Sequence, residues 1–145
     1  MKSFTVRLYP TKEQEVLFYK HINCQRYVYN WALNLNNELY RKDKKKYSST
    51  ELGKMLTQYK KQEVWLSEVS NATLKESIRN LDRAYTNFYK KKANLPKFKS
   101  KKKSKLSFYS RYDRIKFYKN NIVNLEKIGK VKCSSSYDID FTKED

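Results

Sequence analysis

The 145-residue chain carries 33 lysines and arginines against 15 acids, giving a formal charge of +18 and a pI near 9.8, with 39% hydrophobic and 15% aromatic residues. That length allows one compact domain or two small lobes with a true core, and the aromatic content predicts a core rich in Tyr, Phe and Trp, which excludes disorder throughout. The charge calls for a polyanion, nucleic acid first; no run of about 18 apolar residues offers a membrane span and no apolar stretch marks a signal peptide, so a cytoplasmic protein without a membrane partner is expected.

Residues 2 to 9 alternate, Phe4, Val6 and Leu8 against Ser3, Thr5, Arg7 and Tyr9, which is the period of a half-buried strand ended by Pro10. Thr11-Lys12-Glu13-Gln14 reads as a capping box, so a helix is predicted from Lys12, with Asn23 as its left-handed stop. A second helix is expected from Cys24, because Cys24, Tyr27, Val28, Trp31, Leu35 and Leu39 recur at three- and four-residue steps until the basic Arg41 to Lys46 loop. Ser48-Ser49-Thr50-Glu51 is another capping box and opens a short helix burying Leu52, Met55, Leu56 and Tyr59. Trp65, Leu66 and Val69 read as a hydrophobic plug, and Ser70 as the cap of the longest helix. Leu74, Ile78, Leu81, Tyr85 and Phe88 carry that helix to about Lys91, over too few heptads for a coiled-coil seam.

From Ala84 to Lys119 there are thirteen lysines and arginines and one acid, Asp113, punctuated by Tyr85, Phe88, Tyr89, Phe98, Phe108, Tyr109, Tyr112, Phe117 and Tyr118. Basic charge interleaved with aromatics is the composition of a surface that holds phosphates and stacks bases; a solvated linker is the plainer alternative. Beyond Lys105 the periodicity changes to strands: Leu106, Phe108 and Ser110 alternate, Ile115 and Phe117 continue, and Asn120-Asn121 is a hairpin turn because Asn tolerates positive φ. Lys127 to Lys132 reads as a further strand, and Tyr137, Ile139 and Phe141 alternate once more. The expected fold is α+β. About four helices (11–92) are inserted after the first strand of a small antiparallel β-lobe (1–10 and 104–141), with a basic linker (93–103) and a tail (142–145).

Several segments together resemble one family, the OrfB or TnpB proteins of bacterial insertion sequences, RNA-guided DNA nucleases regarded as ancestral to type V CRISPR effectors. They are Arg7-Leu8-Tyr9-Pro10-Thr11, the run from Cys24 to Leu33, Trp65-Leu66-Ser67-Glu68-Val69, the run from Asn80 to Tyr89, Leu95-Pro96-Lys97-Phe98-Lys99-Ser100-Lys101-Lys102, and Ile128-Gly129-Lys130-Val131-Lys132. The resemblance implies the family's N-terminal recognition half, often catalogued as a helix-turn-helix domain: an incomplete wedge-like β-barrel interrupted by a helical insertion, touching guide RNA, the guide–target duplex and a short DNA motif. At the family's motif-reading places this chain has Tyr47, Ser48, Ser49, Gly53, Asn71, Ala72 and Lys75, a poor match in side-chain type. Lys130 stands where the family commonly has an aromatic, and the resemblance stops after Cys133. The family's nuclease half, with three carboxylates on two Mg²⁺ and a four-cysteine zinc finger, would begin about where this chain stops.

The residues themselves give no catalytic site. Cys24 and Cys133 are too far apart for a zinc ribbon or a disulfide framework and read as two reduced thiols, Cys24 in a helix interface. His21, the lone histidine, reads as a surface residue near a helix end. Tyr9 and Tyr47 read as structural, and Asp138, Asp140, Glu144 and Asp145 as a solvated tail. No enzyme activity, metal or cofactor is expected of this chain alone.

The expected function is a nucleic-acid-binding, transposase-like recognition module, truncated or stand-alone, for RNA, DNA or both. Lys90, Lys91, Lys92, Lys97, Lys99, Lys101, Lys102, Lys103 and Lys105 would track phosphates, with Arg7, Arg26, Arg111 and Arg114 extending the path. Tyr47, Ser49, Asn71 and Lys75 are the candidates for reading DNA, and Asn30 and Asn71 suit an adenine edge, although helix packing or capping accounts for both. The alternative is a protein-interaction module that occupies or inhibits a nuclease partner.

Overall fold

The computed structural model describes residues 5–134. Ser3 and Phe4 of the expected first strand, the Tyr137–Ile139–Phe141 alternation and the acidic Asp138, Asp140, Glu144 and Asp145 lie outside the described residues. The chain divides into two compact units, one made of residues up to Lys20 and from Ser110 onward, the other running His21–Tyr109. The class is α+β, with three α-helices rather than four and a four-stranded antiparallel sheet among the described residues.

In the first unit the sheet comprises β1 (Leu8–Tyr9), β2 (Lys116–Tyr118), β3 (Ile122–Leu125) and β4 (Gly129–Cys133), in the order β1-β4-β3-β2. The N-terminal strand does return to the C-terminal ones: Leu8 pairs with Cys133 and Tyr9 with Lys132. Among the described residues it is confined to Leu8–Tyr9, and Thr5, Val6 and Arg7 lie outside it. Asn120 and Asn121, at φ 68° and 58°, make the tight connection that sets Tyr118 opposite Ile122, and left-handed Lys127 and Gly129 turn the next hairpin. Val123, Leu125, Val131 and Cys133 form the core, joined by Val6, Leu8, Phe18, Ile115, Phe117 and Ile128. The expected capping box is present. Gln14 N–H donates to Thr11 Oγ1 (3.2 Å) and Thr11 N–H to Gln14 Oε1 (2.9 Å), while Gln14 Nε2 reaches the Lys130 carbonyl at 2.6 Å.

From that cap one unbroken helix, α1 (Lys12–Asp43), runs through Asn23. The expected stop is thus absent. The apolar pattern breaks there because Phe18 packs with the sheet core, whereas Cys24 onward belongs to the helical core. The second unit adds α2 (Ser49–Gln62), a short 3₁₀ helix (Val64–Glu68) and α3 (Asn71–Tyr89). Ser48 and Glu51 close the second capping box, and that hydrogen bond lowers the Glu51 pKa. Leu33, Leu56, Leu66, Leu74 and Leu81 are fully buried, each stabilising the unit by about 1.5–3 kcal/mol.

The buried face of α1 differs from the predicted stripe. Cys24, Val28, Tyr29, Ala32, Leu33 and Asn36 are buried; Trp31 and Leu35 are half-buried, and Tyr27 is 39% exposed. Asn36 is tolerated inside because its Oδ1 accepts the Tyr47 N–H at 2.8 Å. Trp65 is likewise 39% exposed and plugs nothing; Leu66 and Val69 do. Ser70 is the N-cap of α3, but its side chain makes no capping bond. His21 is not a surface residue. It is 1% exposed, its Nε2 accepts the Ser70 N–H at 3.2 Å and Phe108 packs on its ring at 4.9 Å. The expected strand over residues 106–111 does not form, because side chains satisfy its backbone: Gln25 Oε1 accepts the Tyr109 N–H (2.8 Å) and Thr73 Oγ1 donates to the Tyr109 carbonyl (2.6 Å). Among the described residues no helix is long and apolar enough to cross a membrane.

Candidate nucleic-acid interface

The segment after α3 has no regular structure from Asn94 to Ser100, yet it is anchored. Asn30, on α1, treats Lys99 as a strand neighbour would: its Nδ2 donates to the Lys99 carbonyl at 2.9 Å and its Oδ1 accepts the Lys99 N–H at 2.8 Å. Ten residues on, Gln25 and Thr73 hold Tyr109. The basic run is therefore fixed at both ends against α1 and α3, and between the anchors it walls a groove of about 530 Å³. Arg26, Lys99, Lys103 and Lys105 line this groove with Asn80 and several serines, and among the described residues no carboxylate does. Four cations facing one concavity without an acid make a site for polyanion oxygens.

Lys99 is the most constrained of the four. Its Nζ lies 4.1 Å from the centroid of the buried Tyr29 ring, and the loss of water around it lowers its pKa. Burial also raises the pKa of Tyr29, so that phenol stays neutral beside it.

The structure brings Arg26, Lys99, Lys103 and Lys105 together, and Asn30 is tied to the Lys99 backbone without lining the groove. Lys97, Lys101 and Lys102 are exposed on the same segment outside the groove lining, and none of the segment's lysines has a carboxylate within ion-pairing distance among the described residues. Lys90, Lys91 and Lys92 are exposed in the turn that ends α3, with Lys91 left-handed at φ 59°. Ser49 and Lys75 meet elsewhere, in a concavity between α2 and α3 that Gly53, Lys54 and Arg79 also line. Asn71, the first residue of α3, accepts Lys60 Nζ at 3.0 Å, and Tyr47 packs on the helical core. In the sheet unit Arg7 lies over the Tyr9 ring at 5.8 Å, Arg111 pairs with Asp113 at 2.9 Å and Arg114 with Glu126 at 3.8 Å.

Sequence reasoning missed the holders Gln25 and Thr73 and the second-concavity cations Lys54 and Arg79. Nothing local marks the first two, since each acts on a residue far away in the chain. Ser100, Ser104 and Ser107, all lining the groove, were visible as serines spaced through the lysine run.

Residues 1–45 match the helix-turn-helix domain of the OrfB IS605 type; the described part of that span holds β1 and the continuous α1. The chain is 35% identical over 129 residues, 87% of its length, to a protein of Streptomyces pristinaespiralis named as an RNA-guided DNA endonuclease. It is 26% identical over 138 residues, 94% of its length, to InsQ of Escherichia coli K12, which is named likewise. The matches cover 32% and 34% of those relatives, so the chain spans about a third of their length. The chain is thus similar to part of OrfB/TnpB-type proteins, and the resemblance drawn from its motifs holds.

Proposed function

We propose that this chain binds nucleic acid as a TnpB/OrfB-like recognition module, gripping the phosphates of a structured RNA, of DNA or of both through the anchored basic segment of its helical unit. The observation that carries this reading is the groove lined by Arg26, Lys99, Lys103 and Lys105 and, among the described residues, by no carboxylate. The free lysines beside it, Lys97, Lys101 and Lys102, extend the path, and the relatives' names as RNA-guided DNA endonucleases fit such a ligand. The concavity holding Ser49, Lys54, Lys75 and Arg79 supplies a second contact, for a DNA backbone or base edge.

We assign recognition, not cleavage, to these residues. Three of the described acids pair with arginines, Glu76 with Arg79 (3.2 Å) and Arg83 (3.5 Å), Asp113 with Arg111 and Glu126 with Arg114, and among the described residues no three acids, histidines or cysteines gather as an ion site. Two-metal cleavage needs carboxylates converging on ions instead.

The test is a salt titration. With six to ten phosphate contacts, affinity for RNA or DNA falls about 10³- to 10⁵-fold between about 50 and 200 mM salt, and Mg²⁺ leaves the bound strand intact. A flat salt response, or Mg²⁺-dependent cleavage by the purified chain, would overturn the respective half of the proposal.

A further inference from the structure

We propose that the outward face of α1 beside the basic groove is a pocket for one unstacked nucleobase, whose own phosphate lies on the groove cations. This rests on the nucleic-acid reading above and adds which part of the polymer enters the helical unit and what it meets there.

Asn23, Arg26, Tyr27, Asn30, Trp31 and Asn34 fall at three- and four-residue steps and so share one helix face. With Trp65 they line a concavity of about 540 Å³ distinct from the groove. Arg26 lines both, as the groove needs a cation and the concavity a flanking charge. A nucleotide has this bipartite chemistry, a planar π-face joined to a phosphate through one sugar.

The aromatic part is built in advance. Tyr27 and Trp65 meet edge to face, centroids 4.9 Å apart at 75°, and Trp31 stacks on Tyr59 at 5.0 Å. The Tyr27 and Tyr59 hydroxyls are 2.6 Å apart, and Trp65 Nε1 donates to Glu63 Oε2 at 2.7 Å. Each ring is thus tied to another element, yet Tyr27 and Trp65 remain 39% exposed. Rings immobilised before the ligand arrives lose little entropy on binding. Two rings meeting at a corner present a face for a base to lie on and an edge to stop it.

The polar part fits a base edge. Asn30 is spent on Lys99, but the Asn23 amide has no partner among the described residues. Asn34 gives only one long bond, 3.3 Å to Glu38, leaving its carbonyl to accept. Amides offer the donor and acceptor pair that a base edge uses.

The experiment compares single-stranded adenine 12-mers, as RNA and as DNA, with the same strands carrying abasic residues and with inorganic polyphosphate of equal charge. Binding is followed by anisotropy competition and by tryptophan fluorescence. The intact strands are expected to bind about 5- to 140-fold more tightly than the abasic ones, the equivalent of one stacked base, and they alone quench the fluorescence. Trp65→Ala erases both differences and Trp65→Phe keeps the affinity difference. Because the intact-versus-abasic comparison is made on the unaltered protein, it stands even if a variant misfolds. Equal affinity for intact strands, abasic strands and polyphosphate overturns the base pocket while leaving phosphate binding in place. Absence of binding to all of them overturns both proposals. A ribose preference with the quench retained supports the pocket and identifies the polymer as RNA.

Discussion

Lys99 is held by its backbone and used by its side chain. The Asn30 amide satisfies both its N–H and its carbonyl, so the ammonium over Tyr29 is aimed by a fixed main chain and not by a mobile loop. Desolvation has moved its pKa down, and that sets the sign of a pH effect. A phosphate favours the charged form, so the Lys99 contribution to binding is complete below its lowered pKa and lost as pH rises through it, before an ordinary lysine at about 10.4 would discharge. Affinity for a single strand should therefore start to decline early on the alkaline side. Lys99→Arg, which stays protonated, should delay the decline. Superimposable affinity–pH profiles for the two proteins would show that this ammonium meets no phosphate.

At the scale of elements, the start of α3 depends on α1. The buried Ser70 N–H donates to His21 Nε2, and Ser77 Oγ donates to the Gln25 carbonyl at 2.6 Å. A helix N-terminus leaves several N–H groups without intrahelical partners, and here an imidazole accepts the N-cap N–H that the Gln14 and Glu51 side chains accept in α1 and α2. His21→Phe keeps the ring packing on Phe108 but removes that acceptor, at a cost of about 1–3 kcal/mol. Chemical denaturation should show a lower midpoint with an unchanged slope, and a midpoint equal to that of the unaltered protein would mean the bond holds nothing.

The same contact explains what the sequence could and could not convey. Capping boxes at Thr11 and Ser48 and the Asn120–Asn121 turn were legible because each is settled within four residues. His21, Gln25, Thr73 and Asn30 were not, because their partners lie 49, 84, 36 and 69 residues away. The continuity of α1 was hidden for a related reason: its apolar face changes core between Phe18 and Cys24, and a change of face looks like a stop. The candidate site divides in the same way, its cations plain in the composition and its anchors invisible.

For the molecule as a whole, the surplus of cations governs both stability and binding, with opposite responses to salt. However the 33 lysines and arginines pair with the 15 acids, a net charge of +18 is left over, and the pairs present, such as Lys46–Asp82 at 3.8 Å, are part-exposed. Exposed pairs contribute about 0–1 kcal/mol each, so screening them costs little. Screening the remaining like charges relieves a repulsion that at 0.01 M salt reaches about 30 Å, against about 8 Å at 0.15 M. The melting temperature of the free protein should accordingly rise with added salt, by about 2–4 °C for each kcal/mol of repulsion removed in a chain of this size. A saturating single strand should do the opposite. At low salt it stabilises by replacing the missing counter-charge, about 2.7 kcal/mol at one hundred times its Kd, and that gain shrinks as salt weakens binding. The two melting curves, free and bound, are expected to converge from opposite sides as salt increases. A free protein whose melting temperature falls with salt would mean that its ion pairs outweigh its self-repulsion, and the argument from net charge to a polyanionic partner would lose its footing.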